Sequence, residues 1–241
     1  MARMRVNKAL IREGLDAPDW RERLERLTAD VPQAFVGPLM SRLALGGTAA
    51  GRAAAALGAC VASIAQEAPE EARVVMRRFM WHMNEESGNL GWGVPESMAE
   101  TLARSEPLAR EFSRVLLSYI RDTGREDNFV EYAPLRCACY WAVGRVLQAR
   151  PGLAVSALPL LRVGLGDADF PCRGMAAWAI AQAGMSDGKL AHCQELRLEL
   201  ERLAAAEASA GTPVQVFDGD VVRAYTVAEL AGLALAAIFS S

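Results

Sequence analysis

LPLLRVGLGDADFPCRGMAAWAIAQAG, residues 158–184, is the stretch that decides the fold of this 241-residue chain. Leucines at helical spacing fill its first part, the turn GDAD follows, and alanines mixed with larger apolar residues fill its second part. Apolar residues with this period predict an amphipathic helix, a short turn and a second helix. The stretch therefore predicts a helical hairpin.

Two other stretches repeat the second half of this pattern. Each carries an arginine at its start and continues with alanines and larger apolar residues: GRAAAALGACVASI from Gly51 and LRCACYWAVGRVL from Leu135. Arg136 and Arg173 are 37 residues apart, a length typical of one helical hairpin. Arg52 precedes Arg136 by 84 residues, which leaves room for one further unit between them.

That further unit is predicted at VPESMAETLAR, residues 94–104, where Glu96 stands near the arginine position. Each of these four helices is preceded by another amphipathic helix, and the preceding helices are predicted at Gln33–Leu43, Glu70–His82, Leu108–Arg121 and Ala154–Val163. A single hairpin cannot bury its apolar stripe, whereas stacked hairpins share one continuous core. The sequence therefore predicts an all-α chain of stacked helical hairpins.

The leucine-rich helix, the aspartate-bearing turn and the arginine with alanines in residues 158–184 together resemble the HEAT repeat. Over roughly residues 31–240 the chain is similar to uncharacterised bacterial HEAT-repeat and PBS-lyase-HEAT-like proteins. The resemblance implies a right-handed α-α superhelix, a HEAT/armadillo-like solenoid of about five hairpins, in a single domain spanning residues 1–241. Residues 1–30 would form its N-terminal cap. It also implies braces between repeats, formed by the arginine Arg52, by Asp127 with Arg136, and by Asp167 or Asp169 with Arg173.

The segment VQVFDGDVVRAYTVAEL, residues 214–230, departs from the helical pattern. Two β-prone runs flank Asp218-Gly219, a strong signal for a β-hairpin, which we place at residues 214–225. Thr226 and Glu229 match a capping box that starts a final helix at about Val227. The hairpin is interpreted as covering an edge of the helical core; the alternative is that it closes one end of a binding groove.

The most unusual loop is WHMNEESGNLGWGVPE, residues 81–96, which is longer than an ordinary hairpin turn. Long loops on a rigid scaffold often carry binding residues. In a solenoid this loop lies on the same edge as the loops near residues 127–129 and 167–170. The sequence therefore suggests an acidic, aromatic rim for binding, with candidate residues Trp81, Asn84, Glu85, Glu86, Asn89, Trp92, Asp127, Asn128 and Phe129.

A purely structural interpretation of the same loop stands beside this hypothesis. Its glycines and prolines suit an ordered turn, and Trp92 would then fill the gap between repeats. Glu85 and Glu86 are adjacent, so on a helix they diverge by about 100° and are not an acid/base pair. His82 with these acids is too small a set to indicate a metal site. The loop resembles one in uncharacterised bacterial HEAT-repeat proteins, which brings no activity with it.

Composition limits the remaining classes of function. The net charge of −3 argues against a sequence-independent nucleic-acid binder. No P-loop, nucleophile elbow or HExxH motif is present, so no catalytic residue, cofactor or metal is predicted. The start of the chain has no secretory signal and no apolar stretch is a convincing membrane span, so we expect a cytoplasmic location and no membrane contact. The five cysteines are interpreted as small buried apolar residues.

Three functions follow from the fold class and the resemblance. The first is a non-catalytic scaffold that binds a protein or peptide on a curved helical surface. The second is a HEAT-like DNA alkylpurine glycosylase or nucleic-acid-binding protein. That resemblance implies tryptophans and an aspartate near the DNA lesion, and the residues of these types are Trp81, Trp92, Trp141 and Trp178 with Asp127 or Asp167. The third is a relative of bilin-lyase-like HEAT proteins, which would need a pocket of tetrapyrrole size. The sequence favours the first.

Overall fold

A computed structural model describes residues 2–84, 91–125, 128–184, 193–206, 211 and 213–239. The helices within these ranges are α1 (Ala2–Asp16), α2 (Trp20–Thr28), α3 (Gln33–Met40), α4 (Gly47–Glu67), α5 (Pro69–Met83), α6 (Val94–Arg104), α7 (Glu106–Ser118), α8 (Ala133–Ala149), α9 (Ala154–Gly164), α10 (Phe170–Gly184), α11 (Gln194–Ala205) and α12 (Val227–Phe239). Strands β1 (Pro213–Phe217) and β2 (Val222–Thr226) form one two-stranded sheet. The predicted all-α class with a β-hairpin near the C-terminus is confirmed.

The predicted helix boundaries hold to within a few residues. α6 begins at Val94 as predicted, after Gly93 with φ of 71°, a left-handed conformation that glycine adopts readily. α7 begins at Glu106, two residues before the predicted start. The reason is that Pro107 lies in the first turn, where a helix does not need the N–H that proline lacks.

The chain divides into two compact units, and the first consists of Met1–Ser113 together with Phe217–Val222. Its central helix is α4, which contacts α2, α3, α5 and α6. Among the described helices, α4 has the length and hydropathy of a membrane span, but 67% of that apolar window is buried inside the protein. Leu57, Val61 and Ile64 on this helix are almost fully buried, so α4 is a core helix of this unit.

The second unit consists of Arg114–Val216 together with Arg223–Ser241. Its central helix is α10, which contacts α8, α9 and α12, while α11 packs on α12. All the residues from Gly174 to Ala183 are buried. Trp141 of α8 and Trp178 of α10 stack with ring centroids 6.0 Å apart and an interplanar angle of 5°. The apolar core of this unit therefore runs through the second helices of successive hairpins.

Polar pairs link the first helices of successive hairpins with the same period as the sequence repeat. Arg73 of α5 donates two hydrogen bonds to the Glu111 carboxylate of α7, at 2.7 and 2.8 Å and 38 residues away. Arg162 of α9 pairs with Glu199 of α11 at 2.8 Å and 37 residues away. Gln33 and Glu71 make the corresponding contact between α3 and α5, again 38 residues apart. These pairs show that the repeat of about 37 residues is a structural one.

The central helices approach one another most closely at glycines. A Cβ built on Gly58 of α4 would lie 2.7 Å from the backbone carbon of Glu100 in α6. In the second unit, a Cβ on Gly144 of α8 would lie 2.6 Å from the ring of Trp178. The sequence does not reveal that these two positions require glycine, because both glycines lie inside alanine-rich segments.

We therefore expect Gly58→Ala to lower the free energy of unfolding by about 1–3 kcal/mol, because the methyl group forces α4 and α6 apart. Gly232→Ala is the matched control, since Gly232 is also inside a helix, α12, and a Cβ there meets nothing within 4 Å. This control should stabilise the protein by about 0.5–1 kcal/mol through the backbone effect alone. Urea unfolding of both variants measures the difference, and equal effects would contradict the tight α4–α6 contact.

The β-hairpin differs from a two-residue turn. Its loop runs from Asp218 to Val221, and the Asp218 carboxylate accepts hydrogen bonds from the N–H groups of Asp220 and Val221, each at 2.9 Å. The predicted capping box forms, since Thr226 Oγ1 accepts from the Glu229 N–H at 3.1 Å and Glu229 accepts from the Thr226 N–H at 2.6 Å. α12 accordingly begins at Val227.

The tip of the hairpin belongs to the first unit and lies on the N-terminal half of α4. The Asp220 carboxylate accepts a hydrogen bond from Trp20 Nε1 at 2.6 Å and pairs with Arg52 at 3.2 Å. A Cβ on Gly51 would lie 2.5 Å from the Phe217 ring, so that ring packs directly on the helix backbone. The tip thus covers part of the face of α4.

Candidate functional site

An exposed stripe runs along α5 in the first unit. Val74, Arg78 and Trp81 are spaced four and three residues apart, so they lie on one face of the helix. Val74 is 54% exposed and Trp81 is 63% exposed. A Cβ on Gly91 would lie 3.0 Å from the His82 carbonyl oxygen, which places the backbone before Trp92 beside the end of this helix. We call Val74, Arg78, Trp81 and Trp92 the tryptophan edge.

The predicted rim residues of the first unit fall partly on this edge. Trp81 and Trp92 are exposed, and the Trp81 ring makes an edge contact with His82 at 5.3 Å between centroids. Asn84 ends α5, and its N–H donates to the Trp81 carbonyl at 3.2 Å. Predicted residues that lie outside the described part of the chain are Glu85, Glu86, Asn89 and Asp127.

The predicted rim residues of the second unit are engaged locally. Asn128 Nδ2 donates to Ser118 Oγ at 3.1 Å. The Arg136 guanidinium lies 5.2 Å from the centre of the Phe129 ring, within range of a cation–π contact. These contacts hold the loop before α8 in place. Asn128 and Phe129 are therefore part of an ordered turn.

A buried polar network in the second unit connects α8 with the turn before α10. Arg136 donates two hydrogen bonds to the Asp167 carboxylate, each at 2.8 Å, and the two side chains are 7% and 6% exposed. The same guanidinium donates to the Val130 and Glu131 carbonyls at 2.9 and 2.7 Å. Tyr140 donates its hydroxyl to Asp167 at 3.2 Å. Arg136 is therefore the residue that braces two successive hairpins here.

The two aspartates of this turn, Asp167 and Asp169, make different contacts. Burial alone would raise the pKa of Asp167, but the hydrogen bonds from Arg136, the Asp169 N–H and Tyr140 hold it below its usual range. Asp169 Oδ1 accepts the N–H of Cys172 at 3.2 Å in the first turn of α10. Arg173 donates to the carbonyl of Asp167, not to a carboxylate, and its guanidinium lies 4.3 Å from the centre of the Phe170 ring.

Arg52, the first arginine of the repeat pattern, has different partners. In the first unit it donates to the carbonyls of Leu15 and Ala17 at 2.8 and 3.3 Å, and it pairs with the Asp220 carboxylate. It therefore ties α1 and the hairpin tip to α4. Its sequence position matches Arg136, but no turn aspartate of a following hairpin is its partner among the contacts described.

Glu96 occupies the arginine position of the repeat pattern in α6. The residue is half-buried, and its Oε2 atom is shielded from solvent without a hydrogen-bond partner. Burial raises the pKa of Glu96 to about 7. This carboxyl group is therefore neutral in acid and costly to ionise inside the folded chain.

We expect Glu96 to make stability depend on pH. Its folded pKa lies above the unfolded value, so its stabilising effect is complete below about pH 4 and is lost as the pH rises through about 7. Glu96→Gln should match the wild type at low pH and exceed its free energy of unfolding by about 1–2 kcal/mol at pH 8. Glu13→Gln, at an exposed position of α1, is the control. Parallel pH curves for wild type and Glu96→Gln would contradict the assignment.

A narrow groove lies between α2, α4 and α6. It encloses about 20 Å³, room for about one water molecule. Its lining includes Trp20, Thr28, Ala59 and Arg104. Arg104 is paired with the carboxylate of Glu100, which is 3% exposed. The sequence gives only a weak signal for this groove, namely the four-residue spacing of Glu100 and Arg104.

In the ranges that the structure covers, no group of three or more His, Cys, Asp or Glu side chains is placed to hold a metal ion.

Comparison with known proteins gives a low similarity to solved structures and no match of sequence. No family model and no curated protein matches the chain. Among solved structures, the chain is similar to computationally designed armadillo repeat proteins for modular peptide recognition, with 15% sequence identity and a TM-score of 0.44. That match covers 96% of this chain and 99% of the other.

Proposed function

We propose that this protein is a non-catalytic helical scaffold that binds a protein segment or peptide at the tryptophan edge. The observation that carries the proposal is the contrast among the five tryptophans. Trp20, Trp141 and Trp178 are between 3% and 9% exposed, whereas Trp81 is 63% exposed and Trp92 is 38% exposed. A fold that buries three indole rings leaves two at one edge of a single unit.

The chemistry of the tryptophan edge suits protein recognition. Tryptophan and arginine are enriched among the residues that dominate binding energy, because each combines a large contact area with a polar donor. Arg78 stands between Val74 and Trp81 on the stripe. Since α5 is fixed by its buried residues Met76 and Phe79, the stripe is presented on a rigid element.

The alternative of a DNA glycosylase or nucleic-acid-binding protein receives less support. A lesion-binding role for Trp141 and Trp178 conflicts with their stacking inside the core, and the Asp167 carboxylate is bound to Arg136. The net charge of −3 supplies no general attraction to DNA. We also propose a cytoplasmic location, where the reducing environment would keep the five cysteines as thiols.

A displayed library of random peptides, selected on the immobilised full chain, tests the proposal. Fluorescence anisotropy of the best labelled peptide then gives dissociation constants for the wild type, Trp81→Ala, Trp81→Phe and Val155→Ala. We expect Trp81→Ala to weaken binding by about tenfold or more, because the residue would be a central contact. Trp81→Phe should lose less, since an aromatic ring remains.

Val155→Ala is the matched control, because Val155 is 81% exposed on α9 and lies outside the tryptophan edge. Its dissociation constant should stay within about twofold of the wild type. Selection of no binding peptide, or equal weakening by Trp81→Ala and Val155→Ala, would overturn the proposed function. Tryptophan emission at the edge gives a second readout, since burial of Trp81 shifts it to shorter wavelength.

A further inference from the structure

Two cysteine thiols meet between the second helices of successive hairpins in the second unit. Cys137 is in the second turn of α8, and Cys172 is in the first turn of α10. Cys172 Sγ donates to the carbonyl of Ala133 at 3.3 Å, four residues before Cys137. Side chains four residues apart lie one above the other on a helix, so the Cys137 side chain is next to the place where Cys172 Sγ meets α8, and its thiol is a hydrogen-bonding neighbour of Cys172. The helix packing thus holds this pair of sulfur atoms together.

The other three cysteines are placed differently. Cys60 lies in the first unit, where its thiol is buried beside Thr28 and burial raises its pKa to about 11. Cys139 is fully buried, and two residues along a helix its side chain points away from that of Cys137. Cys193 is half-buried before the start of α11. Among the cysteine contacts described, the one between Cys137 and Cys172 joins two thiols.

We propose that Cys137 and Cys172 form a reversible disulfide that ties α8 to α10, with a low-molecular-weight disulfide such as oxidised glutathione as the oxidant. This inference stands independently of peptide binding at the tryptophan edge. It assigns a redox modification site to a chain whose cysteines otherwise serve as small core residues.

Exposure decides which thiol reacts first. Cys137 is half-buried and reachable from solution, whereas Cys172 is fully buried. The pKa of Cys172 is raised, first by its hydrogen bond with Cys137 and then by burial. Cys137 is therefore the thiol that a disulfide reagent in solution reaches first, and we assign it as the attacking group.

The reaction is two successive exchanges. The Cys137 thiolate attacks one sulfur of oxidised glutathione, the reagent S–S bond breaks, and one glutathione thiolate leaves and takes up a proton. Cys172 then gives its proton to solvent and attacks Cys137 Sγ, which releases the second glutathione thiolate. The protein loses two electrons and two protons, and the reagent gains them as two thiols.

The bond would reinforce the brace next to it. Arg136, the neighbour of Cys137, already binds Asp167 in the turn that leads to Cys172. A disulfide between these turns closes the loop of residues 137–172 and restricts the unfolded chain. We expect the oxidised protein to melt about 5–10 °C above the reduced protein.

The test uses the full chain, reduced and then incubated with oxidised glutathione, quenched with acid and digested with trypsin under non-reducing conditions. We expect a linked pair of the peptides CACYWAVGR and VGLGDADFPCR, lighter than the separate peptides by two hydrogen atoms. Because the first peptide also contains Cys139, the experiment is repeated on Cys139→Ser, which should keep the link. Cys137→Ser should abolish it.

Cys193→Ser is the matched control, because Cys193 is half-buried like Cys137 but precedes α11 and lies on neither α8 nor α10. It should form the disulfide at the wild-type rate. Circular dichroism and melting of each reduced variant show that it is folded before oxidation. A stable glutathione adduct on Cys137 without a link to Cys172, or a link that persists in Cys137→Ser, would overturn the proposal.

Discussion

Arg136→Ala is expected to lower the free energy of unfolding by about 3–5 kcal/mol, among the largest effects of any single substitution in this chain. The substitution leaves the Asp167 carboxylate buried without its cation and the Val130 and Glu131 carbonyls without their donor. Removal of one member of a buried, hydrogen-bonded ion pair is strongly destabilising, because the remaining charge has lost its solvent and its partner. Urea unfolding followed by circular dichroism measures the change.

The exposed pair Arg73–Glu111 supplies the control for this prediction. Its N–O distance of 2.7 Å is as short as that of the buried pair, but its side chains are 35% and 37% exposed. Arg73→Ala should therefore lower the free energy of unfolding by less than about 1 kcal/mol. Similar losses for Arg136→Ala and Arg73→Ala would show that burial of the Arg136–Asp167 pair does not decide its contribution.

Measurements at low pH give a second test of the Arg136–Asp167 pair. The pKa of Asp167 is held below its ordinary value, so its contribution to stability is present above about pH 4 and is lost as the pH falls through the folded pKa. The difference in stability between wild type and Arg136→Ala should therefore shrink at low pH. A difference that stays constant from pH 7 to pH 3 would mean that Asp167 is not ionised in the folded chain.

The helical part of the fold was predictable because its signals are local. α6 begins at Val94 as the sequence indicates, since Pro95 and the preceding glycine mark a helix start within a few residues. The capping box of Thr226 and Glu229 is equally local, and it starts α12 at Val227. Amphipathic spacing, glycine and proline act over one or two turns, so these elements need no knowledge of tertiary contacts.

The partners of the braces were not predictable in the same way. The turn GDAD offers Asp167 and Asp169 at nearly the same distance from each arginine along the chain, so spacing cannot distinguish them. In the structure Asp169 caps α10 and Asp167 turns towards Arg136, 31 residues earlier. Side-chain direction in the folded turn decides this choice. The hairpin tip on α4 is a still longer contact, since Asp220 lies 168 residues from Arg52.

The candidate site was predictable in part. The sequence marks Trp81 and Trp92 as aromatic residues beside polar ones, and both are exposed. It does not show that Val74 and Arg78 extend the stripe, because the outward face of α5 is defined only once Met76 and Phe79 are known to point into the core. It also does not show the meeting of Cys137 and Cys172, which depends on how α8 packs against α10.

Trp141→Ala is expected to lower the free energy of unfolding by about 3–5 kcal/mol, because it removes a buried indole ring and leaves a cavity. Trp141 is 3% exposed and stacks on Trp178, whose ring also packs against the backbone at Gly144. The close contact at Gly144 prevents the Trp178 ring from relaxing into the vacated space without disturbing α8. Calorimetry and urea unfolding of the reduced protein measure the loss.

Trp81→Ala makes the same chemical change at the tryptophan edge and should alter the free energy of unfolding by less than about 0.5 kcal/mol. The two variants therefore separate stability from recognition, since Trp141→Ala should weaken the fold and Trp81→Ala should weaken peptide binding. If Trp81→Ala destabilised the chain as much as Trp141→Ala, the exposed ring would be a structural residue. Any loss of peptide affinity in that variant would then report unfolding. The proposal that the tryptophan edge is a binding surface would be wrong.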